Sequence, residues 1–203
     1  MIKAKQEAYC PNLGYIWRYD PPFESFEEIL TEIDRSQKRI ISARELAKAR
    51  SRADAGDSIN SSGSLVAEGI WNHCRAPHHL VKDFTAVFYS SMMNGNATSD
   101  KSIIMYHPKQ IAEGSRIRSH FPLQAAKLEK DSLAEFLFQD EARPYGDFLR
   151  SQGIRSVLVT FLPAPLAMPY YLPIWIGGIS EEIRLDYIGY DKFASIRAVA
   201  RSG

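Results

Sequence analysis

Cysteine is scarce in this sequence: two among 203 residues, Cys10 and Cys74, far apart and outside any CxxC pair. That excludes a disulfide framework and fits a reducing compartment. Charge of one sign is equally lacking. Lys and Arg number 25 against 24 acidic residues, a net charge of +1, so no whole-molecule field steers the chain toward nucleic acid. No apolar run is long and unbroken enough to cross a bilayer as a helix. The longest, "SVLVTFLPAPLAMPYYLPIWIGGI", contains four prolines and reads as strands. Met1 is followed by Lys3 and Lys5, not by an apolar leader, so a cytoplasmic location without membrane contact is expected. The P-loop, GxGxxG, HExxH and GxSxG motifs are missing as well. Nor is there a convincing pair of catalytic carboxylates; the adjacent Glu181 and Glu182 would point apart. A non-catalytic protein is the leading expectation.

What is present suffices for a sizeable core, with 45% of residues hydrophobic. Residues 1–22 end in "RYDPPF" and read as an extended arm. Ser25 and Glu28 form an S-x-x-E capping pattern. Phe26, Ile29, Leu30, Ile33 and Ile40 then recur near helical spacing, predicting one long amphipathic helix that completes an N-terminal unit over 1–53. Its first half is acidic (Glu24 to Asp34) and its second half basic (Arg35 to Arg52), which suits the helix dipole. The same gradient would let two copies pair antiparallel, so a homodimer through this helix is expected. Residues 54–64, "DAGDSINSSGS", read as a linker or loop, and 65–203 as the main domain.

Within that domain "LVAEGIWNHCR" looks helical, and "TAVFYSSMM" and "KSIIMYH" read as strands of a hairpin turning at Asn94-Gly95. "QAAKLEKDSLAEFLF" is helical. "YGDFLRSQG" is a short helix closed by Gly153, and Arg155 to Leu162 is a strand. "YYLPIWIGGI" is another strand, with Pro173 marking an edge or a bulge. Residues 186–201 read as a closing amphipathic helix. The fold class is therefore α+β: a central antiparallel sheet flanked by helices and preceded by a long N-terminal helix.

The order helix, hairpin, helical excursion, "GIRSVLVTFL", "LPIWIGGIS" and a last helix containing "DKFASIRAVA" resembles the GAF domain, within the GAF/PAS superclass, over about residues 65–201. That resemblance implies an intracellular ligand-sensing and regulatory domain. It would bind a small molecule between sheet and excursion and signal through a helix-mediated dimer or an output protein partner.

Two clusters carry the candidate chemistry. "MYHPKQIAEGSRIRSHF" gathers Tyr106, His107, Arg116 and Arg118 after a strand. Strand alternation turns one of Tyr106 and His107 inward, and the two arginines suit a carboxylate or phosphate. Tyr89, Tyr145 and Trp175 are candidates for the apolar wall of such a ligand pocket, and equally good core residues. The second cluster, "WNHCRAPHHL", holds His73, Cys74, His78 and His79. Thiolate and imidazole suit zinc, but Pro77 interrupts the spacing and no second ligand pair follows; a helix end explains the same residues. The alternative function is thus a small enzyme, or a haem or zinc protein, using His107 or this cluster.

Overall fold

The computed structural model describes residues 2–23, 26–54, 56–72, 78–82, 104–106, 119–161, 170–178, 182–185 and 195–201. It is a mixed α and β structure. The chain opens on a hairpin, β1 (Ala4–Cys10) and β2 (Gly14–Tyr19). The turn between them places Asn12 and Gly14 at φ 74°, a backbone region that glycine and asparagine tolerate best.

Because the first strand begins at residue 4, no long N-terminal helix precedes the sheet. The helix expected over 25–52 is two ten-residue helices, α1 (Phe26–Arg35) and α2 (Ala43–Arg52), parted by β3 (Lys38–Ile40). Gln37 closes α1 at φ 54°. Ser42 opens α2 with a full capping box: its hydroxyl accepts the Glu45 N–H, and the Glu45 carboxylate accepts the Ser42 N–H. Periodicity alone joins the two helices, because the apolar Ile40 and Ile41 keep the stripe continuous through the strand between them.

A short helix α3 (Ser58–Ser61) leads into β4 (Ser64–Asn72), then β5 (His78–Val81), β6 (Ile104–Tyr106) and β7 (Ser119–Gln124). A 3-10 turn (Ala125–Lys130), α4 (Ser132–Phe138) and α5 (Ala142–Ser151) follow, then β8 (Ser156–Phe161), β9 (Tyr170–Ile176), β10 (Glu182–Leu185) and β11 (Ile196–Ala200). Gly153, at φ 81°, ends α5: its N–H bonds Arg150 O and the next N–H reaches back to Leu149 O, a Schellman closure.

Among the described residues the sheet has eleven strands, with the path β1-β2-β11-β4-β9-β10-β8-β7 and with β3, β5 and β6 attached to its sides. Two neighbouring pairs, β10 with β8 and β11 with β4, run parallel, so the sheet is mixed where a purely antiparallel one was expected. Two segments expected as helices are strands. "LVAEGIWNHCR" contributes β4, and the end of the supposed closing helix is β11, in the middle of the sheet. Both carry near-continuous apolar runs, which periodicity cannot separate from a buried helix. The Asn94-Gly95 turn lies outside the described residues. β9 and its Pro173 sit inside the sheet, where Pro173 faces Gly69 at the end of a register irregularity in β4 between Leu65 and Gly69. The bulge reading of that proline is the one that applies.

Alternation along the strands divides the core in two. Ile16, Val66, Val159, Ile174, Ile176 and Val199 face α2, α4 and α5. Tyr19, Leu65, Ile196 and Ala198 face α1, with Ile29, Leu30 and Ile33. Helix α5 lies so close to the 3-10 turn that a Cβ on Gly146 would stand 2.3 Å from Ala125 O. Gly146→Ala is therefore expected to destabilise the chain by about 2 kcal/mol despite alanine's better helix propensity, because backbone must move to admit the methyl. Urea denaturation measures that loss.

Candidate functional site

The residues singled out in the sequence do not converge among the described residues. Tyr145 is buried in the α2–α5 core, its ring 5.0 Å from Phe138 and 6.1 Å from Phe148. Trp175 packs on the opposite face of the sheet, over Gly63. The strand register sets His78 opposite Tyr106 and His79 opposite Met105 in the β5–β6 pair. Tyr89, His107, Arg116, Arg118, His73 and Cys74 lie outside the described residues.

The charged centre of the described structure is elsewhere, around Glu7. One extra residue in β1 between Gln6 and Ala8 breaks the register with β2, and such a bulge re-aims a side chain. That residue is Glu7. Its carboxylate forms a two-pronged pair with Arg197 of β11, Nε to Oε2 at 2.5 Å and Nη2 to Oε1 at 2.9 Å. The Arg197 side chain has no solvent exposure and that of Glu7 only 3%. Arg197 also donates to Gly63 O at 2.9 Å and Ser62 Oγ at 2.8 Å. Arg18 of β2 donates to the same Ser62 hydroxyl at 3.0 Å and pairs with Asp20, which accepts a further bond from Ser195 at 3.0 Å. Arg50, on α2 and wholly buried, donates to Ile59 O at 3.0 Å, Ser62 O at 2.8 Å and the Tyr145 hydroxyl at 3.3 Å. Three guanidinium groups thus bind the 58–63 segment to both the sheet and α2.

Electrostatics follow from this packing. Burial pushes the Glu7 carboxyl up, but the Arg197 pair outweighs it and holds the group below the usual carboxylate range. Burial lowers the Arg197 pKa despite that partner. Asp20 is likewise depressed, burial being overcome by Arg18 and the Ser195 hydroxyl. For carboxylates depressed in this way, the stabilisation is present above their unfolded pKa and is lost as pH falls through the folded one. Each donor in the centre points at protein oxygen, which marks the cluster as framework. A cleft of about 300 Å³ borders it, lined by Glu7, Tyr9, Cys10, Arg52, Asp54 and Asp57 among others.

A second buried acid, Glu68, sits in the irregular stretch of β4. Burial raises its pKa to about 7, against the lowering effect of the Ala43 N–H. Sequence reasoning missed both acids and Arg197. The available signal was a lone charged residue inside an apolar strand: Glu68 in "LVAEGIW" and Arg197 in "SIRAVA". No three His, Cys, Asp or Glu side chains gather to hold a metal ion among the described residues. No described helix is long and apolar enough to cross a membrane.

A solved structure described as "Accommodation of massive sequence variation in Nanoarchaeota by the C-type lectin fold" superposes with a TM-score of 0.60, covering 98% of each chain at 12% identity. The fold is C-type lectin-like. This overturns the GAF-like expectation, and the comparison lends the sensor and signalling reading no support. The physical reason is visible in the elements. The described end of the segment that should form the terminal helix of a GAF domain is the strand β11 inside the sheet, and the N-terminal arm is a hairpin paired to it. No family model matches the chain, and no curated protein matches it. At 12% identity the C-type lectin-like likeness concerns the fold alone.

Proposed function

We propose that this C-type lectin-like chain is a non-catalytic binding module, in which a rigid frame carries recognition on the connections at one end of its sheet. The observation that carries the reading is the register. β4 ends at Asn72 opposite the start of β9 at Tyr170. β8 ends at Phe161 opposite the start of β7 at Ser119 and beside the end of β10 at Leu185. β5 begins at His78 opposite the end of β6 at Tyr106. The chain therefore leaves and re-enters the sheet repeatedly at one end. The connection from Tyr106 to Ser119 contains His107, Arg116 and Arg118.

Functional residues are commonly carried on loops held by a rigid scaffold. The Glu7–Arg197 centre supplies such rigidity away from these connections. The neighbour's description, accommodation of massive sequence variation, suits a frame whose stability is separate from its recognition surface. The residue types at 116 and 118 favour a ligand bearing a carboxylate or phosphate.

A thermal-shift screen of small carboxylates and phosphate esters tests the reading. At least one is expected to raise the Tm of the wild-type chain, and the Arg116→Ala/Arg118→Ala double variant is expected to lose that rise while keeping its own Tm within about 2 °C of wild type, which separates loss of binding from loss of the frame. A screen in which no anion acts, or a double variant that unfolds as readily as a frame variant, removes the proposal.

A further inference from the structure

The cleft beside Glu7 carries chemistry that the frame does not use. It lies between the β1–β2 hairpin and the last turn of α2 and holds about 300 Å³, the small end of the range for ligand pockets. Small side chains make the room. Ala49 and Ala53 stand one helical turn apart at the end of α2, and Ala8 of β1 lines the same space. Cys10 and Ile16, exposed by 3% and 0%, complete an apolar floor. The walls are held in place. Arg197 fixes Glu7. Two reciprocal bonds close the turn after α2, Asp54 N–H to Asp57 Oδ2 at 3.0 Å and Asp57 N–H to Asp54 O at 2.9 Å. Asn60 Nδ2 donates to the same Asp54 O at 2.9 Å.

The other charges lining this cleft are unspent. Arg50 gives its guanidinium nitrogens to protein oxygens. Arg52, two residues on and exposed, enters no hydrogen bond or ion pair among the described residues, and neither does the Asp54 side chain. Asp57 keeps one carboxylate oxygen beyond its bond to the Asp54 N–H. Arg52 ends α2, and Asp54 lies past its cap at Ala53, where the partial negative charge of the helix C-terminus adds to the two acids. The cleft thus offers one cation and two carboxylates around an apolar floor.

We propose that this cleft binds a free α-amino acid with an apolar side chain. Arg52 pairs with the ligand carboxylate, Asp54 and Asp57 take its ammonium, and its side chain lies on Cys10, Ile16 and Ala49. Both polar contacts are charge-assisted. A simple amine would leave Arg52 unmatched and a simple acid would leave the aspartates unmatched, so the ligand class is a zwitterion. Glu7 takes no part, because Arg197 already holds both of its carboxylate oxygens. The site draws on none of the residues between Tyr106 and Ser119 and is independent of the recognition surface proposed above.

Calorimetric titration of the full chain with leucine, valine, methionine and phenylalanine tests the site. At least one is expected to bind one-to-one with a Kd of about 1 mM or tighter. Its methyl ester and its N-acetyl form, each lacking one charge, should bind at least about ten-fold more weakly. Arg52→Ala and Asp54→Asn change exposed side chains that hold no part of the frame, so both should fold as wild type and lose binding by a similar factor. Arg116→Ala/Arg118→Ala should bind as wild type does. The methyl resonances of Ile16 and Ala49 should shift along the same saturation curve. The proposal is overturned if none of the four amino acids binds, if the capped forms bind equally, or if Arg52→Ala and Asp54→Asn bind undiminished. Loss of binding in the Arg116→Ala/Arg118→Ala variant, or Ile16 and Ala49 methyls unmoved at saturation, would place the ligand elsewhere and overturn it as well.

Discussion

Replacing Arg197 by methionine is expected to destabilise the chain by about 4 kcal/mol at pH 7, enough to lower Tm by roughly 10 °C for a chain of this size. The cost lies in what the substitution leaves behind. Glu7 stays in its bulge with a side-chain exposure of 3%, and its remaining guanidinium neighbour is Arg18 at 3.5 Å. An ionised carboxylate without its close partner is far costlier than a neutral cavity of similar size. The Gly63 and Ser62 carbonyls lose a donor at the same time.

The double variant Glu7→Gln/Arg197→Met should recover a large part of the loss, since a buried ion pair contributes little net stability when both partners are removed together. Urea denaturation of the four members of this cycle, followed by tryptophan fluorescence, measures the coupling. A single variant within 1 kcal/mol of wild type means that the centre does not hold the hairpin and the 58–63 segment to the sheet. The pH dependence has a definite sign. Glu7 and Asp20 are both depressed carboxylates, so the stability they supply is present at neutral pH and fades as pH falls below the ordinary carboxylate range.

The parts of the fold legible in the sequence were those governed by local chemistry. The helix α4 at the end of 124–138, the closure of α5 by Gly153 and the strands β8 and β9 follow from propensity and turn residues within a few positions, although Gln124 ends β7 and Ala125–Lys130 is a 3-10 turn. The misread parts depend on partners distant in the chain. β11 is a strand because β2, β3 and β4 surround it, and nothing within "SIRAVA" distinguishes that from a helix. Gly178, within the "LPIWIGGIS" segment of the GAF resemblance, has a packing cause: a Cβ there would meet the Ser61 backbone at 2.9 Å. The candidate site was less legible still. A surface arginine and a core arginine look alike in a basic segment, and Arg50 differs from Arg52 only in the helical face it occupies. The bulges that turn Glu7 and Glu68 inward are set by strand register, which sequence spacing does not disclose.

Glu68→Gln is expected to act in the opposite sense to the arginine substitution and to raise stability at alkaline pH. Glu68 is a carboxyl whose folded pKa, about 7, lies above its ordinary value of 4.5. Its contribution favours folding fully below pH 4.5 and is lost as pH rises through 7, because the folded state must then hold a buried charge that the unfolded chain hydrates freely. The difference corresponds to about 3 kcal/mol between the two limits. Glutamine keeps an oxygen for the Ala43 N–H, which is 2.8 Å from Glu68 Oε2 in the parent, and has no charge to desolvate. The variant should therefore match wild type near pH 5 and exceed it by about 2–3 kcal/mol at pH 8.5. Denaturation midpoints across that range measure the difference. A gap of the same size at both pH values would assign the effect to packing, and a wild-type chain whose stability rises from pH 5 to 8.5 through this residue would contradict a carboxyl raised by burial.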